Sequence, residues 1–333
     1  MIITRTPYRI SFFGGGTDYA PWFREHGGAV LSSTINRYCY INCRYLPQFF
    51  DYRNRIVWSQ IETVNEYNEI SHPVVREVLK LYNIQGVEIH HDGDLPSRAG
   101  LGSSSAFTVG LIHALNALNG KMSHKNDLVK SAIYVEQDLL CENVGVQDQI
   151  AVAYGGLNKI EIHPDGNFYV DPISISFNRK LELESRLLLF YTGTSRLSSE
   201  IAGDNIRQIP NNRIQLQQMR KMVDEAVEIL YSDSDINAFG QLLEESWMLK
   251  RQLSKLISTS SIDEIYSTAK KAGAIGGKVL GAGGGGFMLF FVPDERKLDV
   301  ISSLSHLLMI PIKFESGGSQ TIFYDPSETF NKT

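Results

Sequence analysis

The sequence predicts an α+β fold of two domains. Three observations carry that expectation: a first half dense in short strands, a second half dominated by amphipathic helices, and three glycine clusters spread along the chain. At 333 residues the chain exceeds the roughly 150 residues of a typical single domain, so two lobes with a cleft between them are expected. A hydrophobic fraction of 43% and a charged fraction of 21% are those of an ordinary globular protein with a sizeable core.

Taken in order, β-branched or alternating stretches mark strands near residues 2–5, 29–35, 37–46, 55–58, 87–91 and 157–162, with Gly, Pro and Asn between them. A helix over 104–119 follows from Val109, Ile112, Leu115 and Leu118 at helical spacing, with Gly120 as its stop. A second, over 125–141, places Leu128, Ala132, Val135 and Leu139 on one face. The second half opens with a strand at 186–191. Three helices follow, marked by Ile214, Met219, Met222, Ala226 and Leu230, then Phe239, Leu242, Leu243, Trp247 and Leu253, then Ile262, Ile265 and Ala269 before Gly273. Strands return near 278–280, 287–292 and 309–314. Turn residues and charges interrupt the pattern between 165 and 184, which sets domains at 1–175 and 176–333. Helices do not alternate regularly with strands, so α+β is favoured over a doubly wound parallel sheet.

A net charge of −5 supplies no basic field to draw a polyanion, so neither nucleic acid nor an anionic membrane is an expected partner, and any phosphate site must be local. No run approaches the roughly 18 apolar residues that cross a bilayer. Cys39, Cys43 and Cys141 are an odd set without CxxC spacing, which points to a reducing, cytoplasmic setting. Cys39 and Cys43 sit in an alternating run, Tyr38-Cys39-Tyr40-Ile41-Asn42-Cys43, and are expected to be buried strand residues rather than metal ligands. The residues do not set the oligomeric state, with a homodimer one option.

The most informative segment is Leu95-Pro96-Ser97-Arg98-Ala99-Gly100-Leu101-Gly102-Ser103-Ser104-Ser105-Ala106, just ahead of an amphipathic helix. Glycine lets backbone approach a ligand, serine caps a helix, and the N–H groups of the first turn attract phosphate. An ordinary capped Gly-Ser loop has the same composition, so the other segments must decide. The segment lacks the Gly-Lys-Ser/Thr ending of a P-loop and the GxGxxG spacing of a dinucleotide fold. Gly14-Gly15-Gly16 precedes Thr17-Asp18-Tyr19, and a third run, 281–286, lies between two apolar strands where glycine weakens a sheet.

Together, Pro7-Tyr8-Arg9-Ile10-Ser11-Phe12-Phe13-Gly14-Gly15-Gly16-Thr17-Asp18-Tyr19, the loop at 100–106 and the run at 278–286 resemble, in order and spacing, the three signature motifs of the GHMP kinases. The Gly-Gly-Gly-Thr-Asp form most resembles the branch of heptose 7-phosphate kinases, with L-fucokinases near relatives. The resemblance implies a ribosomal protein S5 domain 2-like first domain and a ferredoxin-like second. It also implies an ATP- and Mg2+-dependent kinase acting on a sugar phosphate at its anomeric hydroxyl. Alternatives are another sugar kinase of the family or a non-catalytic sugar or nucleotide sensor on the same scaffold.

Phosphoryl transfer needs positioning, neutralisation of charge and a group to orient or deprotonate the acceptor. By the resemblance, Asp148 is the base or anchor for the acceptor hydroxyl and Arg9 its electrostatic partner. Pro96, Gly100, Leu101, Gly102, Ser103, Ser104, Ser105 and Ala106 bind the nucleotide. Ser104 and Glu136 hold the metal, with Ser103 and Ser105 as substitutes for Ser104. Asp18, Gly15, Gly16, Thr17, Gly284 and Gly285 are assigned to the acceptor. Arg196 is the candidate anchor for a substrate phosphate, in competition with Arg98 and Arg24. Trp58 and Tyr45 either line an adenine pocket or pack in the core.

Overall fold

The computed structural model describes residues 1–97, 99–193 and 198–326. Its first sheet is built on two long strands, β1 (Ile2–Phe13) and β2 (Gly28–Tyr45), joined by β3 (Asn54–Val57), β4 (Ile61–Val64), β5 (Val87–Gly93), β6 (Leu157–Ile162) and β7 (Phe168–Pro172). The stretches expected at 29–35 and 37–46 are one continuous strand. Its leading half, from Gly28 to Ser33, pairs with β6 and its trailing half, from Cys39 to Tyr45, pairs with β5. Along the other side it pairs with β1, in a register that shifts between Pro7 and Tyr8 and again between Ser11 and Phe13. Proline cannot donate to a ladder and such irregularities re-aim side chains, and the segment they bracket carries Arg9.

Helices α1 (Ala20–His26), α2 (Pro73–Tyr82), α3 (Ser103–Leu118), α4 (Lys125–Ile133) and α5 (Gln147–Tyr154) complete this domain. The expected helix at 104–119 is α3. It packs against β1 and β2 and is buried on nearly all sides. Val109, Ile112 and Leu115 have no exposed surface, and burial of each such side chain stabilises the fold by about 1.5–3 kcal/mol relative to exposure. The helix expected over 125–141 ends as an α-helix at Ile133 and continues as a wider π-helical turn, Tyr134–Leu139, which carries Glu136.

The second domain contains α6 (Phe177–Ser185), β8 (Leu187–Tyr191), α7 (Ser198–Gln208), α8 (Arg213–Tyr231), α9 (Asn237–Leu253), α10 (Ser260–Ala272), β9 (Gly276–Val279), β10 (Phe287–Phe291), α11 (Lys297–Ser303) and β11 (Leu308–Ile310). Its sheet runs β11-β8-β10-β9 and every pair is antiparallel. That order, with the helical crossover from β8 to β9, the β9–β10 hairpin and the α11 crossover to β11, is the ferredoxin-like arrangement. The strand expected at 309–314 is divided by Pro311. Leu308–Ile310 belongs to this sheet, whereas β12 (Phe314–Glu315) and β13 (Gln320–Tyr324) return to the first sheet beside β2 and β1. These two strands lie beyond the boundary at 175 yet fasten onto the first domain.

Cys39 and Cys43 are buried on β2 at 1% and 0% exposure, as expected of strand core residues. No helix among the described residues is long and apolar enough to cross a membrane.

Candidate active site

The glycine loop ahead of α3 turns twice through left-handed backbone, at Gly100 with φ +85° and at Gly102 with φ +71°. Gly102 is the residue before the first turn of α3, and its carbonyl accepts the first helical bond from the Ala106 N–H at 2.8 Å. The first turn of a helix has N–H groups without acceptors inside the helix, and here that turn begins on the cavity wall at Ser103, Ser104 and Ser105. Beneath the loop lies Arg9. Its Nε and Nη2 donate to the two carboxylate oxygens of Asp148, both at 2.8 Å, and Nη1 donates to the Gly100 carbonyl at 2.8 Å. A Cβ on Gly102 would sit 3.1 Å from Arg9 Cγ and 3.6 Å from Asp148 Oδ2. The loop therefore lies directly against this ion pair. Arg9 is 2% exposed, while the Asp148 side chain keeps 27%. The arginine is structural bedrock and the carboxylate faces the open space above it.

That space is a cavity of about 1090 Å³ between the two domains. Arg9, Gly15, Gly16, Asp18, Gly100, Gly102, Ser103, Ser104, Ser105 and Asp148 all line it. Residues from all three glycine segments thus meet at one site. The other predicted residues are placed differently. Leu101 and Ala106 are core residues at 1% and 0% exposure, and Pro96 is exposed while its neighbours Leu95 and Ser97 reach the wall. Thr17 is fully buried, its hydroxyl donating to the Gly14 and Ala29 carbonyls at 2.7 and 3.0 Å, so it holds the first glycine turn rather than facing the cavity. Gly284 and Gly285 are buried away from the wall, where the Gly284 N–H donates to the Ile257 carbonyl at 2.9 Å; Gly281 and Ala282 line the cavity in their place. The reason is a backbone crossing: a Cβ on Gly281 would lie 2.5 Å from Gly100 Cα. Arg196 and Arg98 fall outside the described residues, and Arg24 is exposed on α1 away from the cavity.

Asp18 is 1% exposed and is held by the backbone. It accepts the Gly16 N–H at 2.9 Å and the Gln147 N–H at 3.4 Å. Gly145 makes room for it, since a Cβ there would stand 1.8 Å from Asp18 Oδ2. Burial first, and the nearby charge of Asp148 second, push its carboxyl up to about 6.

Glu136 has no exposed surface. Its Oε2 accepts from the Ser105 hydroxyl at 3.0 Å and from the Gln149 side-chain amide, while Oε1 has no hydrogen-bond partner among the described residues. The serine that reaches Glu136 is thus Ser105; Ser104 is exposed on the cavity wall. Burial raises the Glu136 carboxyl to about 7 against the opposing hydroxyls and amide. Glu136 does not itself line the cavity; it stands behind Ser105, which does, and its orphaned oxygen with the Ser105 hydroxyl offers hard oxygen donors of the kind a divalent cation takes.

Two features of the wall go beyond the sequence reading, which offers Trp58 for it but not His72, Phe107 or any lysine. Trp58, His72 and Phe107 form a contiguous aromatic patch, with His72 stacked on Phe107 at a centroid distance of 4.6 Å and edge-on to Trp58 at 4.9 Å. Trp58 thereby reaches the cavity, whereas Tyr45 does not. Two buried lysines, Lys250 on α9 and Lys278 on β9, also line it. Lys250 was legible in principle: it stands three residues after Trp247 and three before Leu253, a charge on the apolar face of its helix.

Residues 68–156 match the GHMP kinases N terminal domain and residues 219–305 match the GHMP kinases C terminal domain, together more than half of the chain. The D-glycero-alpha-D-manno-heptose 7-phosphate kinase of Campylobacter jejuni is 29% identical over 320 residues, covering 91% of this chain and 93% of its own. A galactokinase of Thermosipho africanus is 26% identical, covering 90% and 91%. Among solved structures, a D-glycero-D-manno-heptose 1-phosphate kinase from Bacteroides thetaiotaomicron superposes with a TM-score of 0.77 at 23% identity, covering 96% of this chain and 98% of that one. Motifs, cavity and both domains agree: the chain belongs to the GHMP kinase family.

Proposed function

We propose that this kinase transfers the γ-phosphate of ATP to the anomeric hydroxyl of D-glycero-D-manno-heptose 7-phosphate, giving the 1,7-bisphosphate. The observation that carries the reading is the bidentate Arg9–Asp148 pair, set under the glycine loop ahead of α3 and open to the cavity on the carboxylate side. The substrate is taken from the Campylobacter jejuni relative.

In this reading the triphosphate lies along 100–105, with the adenine toward Trp58, His72 and Phe107. The acceptor hydroxyl approaches Asp148. Its proton passes to the carboxylate as the new oxygen–phosphorus bond forms, and the bond between the γ-phosphorus and the β–γ bridging oxygen breaks to leave ADP. Arg9 fixes both carboxylate oxygens in orientation. Asp18 accepts hydrogen bonds from sugar hydroxyls. Glu136 and Ser105, with Ser104 on the wall beside them, would hold Mg2+. Bound there, the ion would neutralise phosphate charge.

A kinase of a free sugar is the second reading. It is favoured by Asn205, whose buried Oδ1 has no hydrogen-bond partner among the described residues and which lines the α7 side of the cavity, a feature suited to a neutral hydroxyl. ADP production with heptose 7-phosphate, mannose 6-phosphate, free heptose, fucose and galactose separates the two. Loss of a charged hydrogen-bonding group should lower kcat/KM by roughly a hundredfold, so heptose 7-phosphate should exceed every free sugar by about that factor. A free sugar that equals or beats the sugar phosphates overturns the first reading in favour of the second.

A further inference from the structure

Lys250 is 8% exposed, yet it belongs to the cavity wall. Two of its three N–H donors are used, on the Val279 carbonyl at 2.9 Å and the Gly281 carbonyl at 2.6 Å. No described residue accepts the third. The carbonyl it grips belongs to the residue whose backbone crosses Gly100, and the Gly100 carbonyl in turn accepts from Arg9. Lys250 and Arg9 therefore approach one backbone crossing from opposite domains, α9 on one side and β1 on the other.

Basic and acidic groups meet around this point. Arg9 is matched by Asp148 through two hydrogen bonds. That leaves Asp18 as the other buried carboxylate acting on Lys250, while Lys278, 3% exposed and donating to the Phe12 carbonyl at 2.6 Å, adds another basic group, one whose burial lowers its pKa. An ammonium with an idle donor on a cavity wall, in a cluster where Arg9, Lys250 and Lys278 face the carboxylates of Asp148 and Asp18, is completed by an anionic oxygen. We propose that Lys250 is a phosphoryl-binding residue, donating its third N–H to a phosphoryl oxygen of a ligand in the cavity. Burial, then the positive charge of Arg9, lowers the Lys250 ammonium to about 7, so a bound dianion restores its proton. The inference rests on the kinase reading above, and the phosphoryl group has two sources in it: the γ-phosphate of the donor or the phosphate of the acceptor. Lys250 thus stands as an anchor independent of Arg196.

The test is calorimetric binding of ADP, AMP-PNP, mannose 6-phosphate and mannose to wild type, Lys250→Met and Lys250→Gln, with thermal melting of each. Loss of a charged hydrogen bond should weaken the responsible ligand about 10- to 100-fold. If the γ-phosphate is the source, AMP-PNP weakens and ADP does not. If the acceptor phosphate is the source, mannose 6-phosphate weakens relative to mannose. Wild-type protein supplies a measurement independent of whether the variants fold: carbamylation of Lys250 by cyanate, followed by mass spectrometry, should slow at least about tenfold with AMP-PNP or mannose 6-phosphate, the extent of engagement expected of a direct charged contact. Unchanged affinities in folded variants, an equal loss for ADP and AMP-PNP, or cyanate reactivity indifferent to every phosphoryl ligand overturns the proposal. Lys250-dependent AMP-PNP binding without turnover of any sugar would leave it standing while the kinase reading falls. Turnover of heptose 7-phosphate without any Lys250 effect would do the reverse.

Discussion

The two glycine runs that meet in this molecule, 100–102 and 281–286, have similar composition and opposite uses. The first bends into the start of α3, whose first-turn residues Ser103, Ser104 and Ser105 line the cavity. The second passes behind it, where Gly281 meets Gly100, Gly283 meets Ile257 and Gly286 meets Ala99, all at distances no Cβ tolerates. Glycine density announces a close approach of backbone without saying to what. In the first run Gly100 also takes part in this crossing, and it is the step from Gly102 into α3 that opens on the cavity; in the second the close partners are the protein itself. Gly284 and Gly285 read as ligand contacts for this reason, although they pack against the core.

The largest effect that can break this division lies at the ion pair beneath the first run. Arg9→Lys removes the planar fork that spans both oxygens of Asp148, and should lower kcat by about a hundredfold or more while ADP affinity is retained. Steady-state kinetics with calorimetric ADP binding check this; near-normal kcat would show that the pair is only structural. Next comes the crossing itself. Gly281→Ala introduces a Cβ at φ +69° against Gly100 and should cost at least about 2 kcal/mol of stability. Gly120→Ala, also left-handed at φ +65° but with nothing within 4 Å, should cost only about 1 kcal/mol. Urea unfolding of the two variants measures the difference, and equal losses would remove the crossing from the account.

A smaller effect concerns the metal. The Glu136 carboxyl is raised to about 7, so it is mostly protonated below that value and ionised above it. The Mg2+ concentration for half-maximal rate should fall as pH rises from 6 to 8, by roughly tenfold for a single proton released per ion bound. Glu136→Gln should flatten that dependence. The sign reverses for the metal-free fold: a raised folded pKa gives stability that is fully present below the unfolded value near 4.5 and lost as pH rises through about 7. The smallest contrast is between neighbours. Ser105→Ala removes a hydroxyl from Glu136 and should raise the Mg2+ requirement more than Ser104→Ala does, by a few-fold at most, the scale of one neutral hydrogen bond of about 1 kcal/mol. The opposite order would return the ligand role to Ser104.

Much of the fold could be read from residue spacing because the long elements announce themselves. The apolar rows of α3, α8, α9 and α10 have helical period and sit buried where the spacing places them, except Ile214 in the first turn of α8, which is exposed while Leu216 is buried in its place. The short ones do not. α5 carries Asp148 in its first turn, but Gln149, Ile150, Ala151, Val152 and Ala153 are all buried, so no amphipathic rhythm marks it. α2 hides behind Val74 and Val75, β-branched residues more typical of strands. At the site, Arg9, Asp18 and Asp148 were legible from motif order. That Arg9 partners Asp148 was implied by the resemblance, but the bidentate geometry was not, since it joins residues 139 apart in sequence through β1 and α5. Lys250 was missed because a single lysine within a long amphipathic helix reads as a surface charge unless its position on the apolar face is counted.

The central claim is that Asp148 takes the acceptor's proton, and one rapid-quench experiment addresses it directly. Asp148→Asn and wild type are saturated with Mg·ATP and mixed with heptose 7-phosphate, and the first turnover is followed by ADP formation. The account predicts a first-turnover rate reduced about 10²- to 10⁴-fold, with ATP affinity and melting temperature close to wild type. A folded, ATP-binding Asp148→Asn variant that completes its first turnover at the wild-type rate would contradict it.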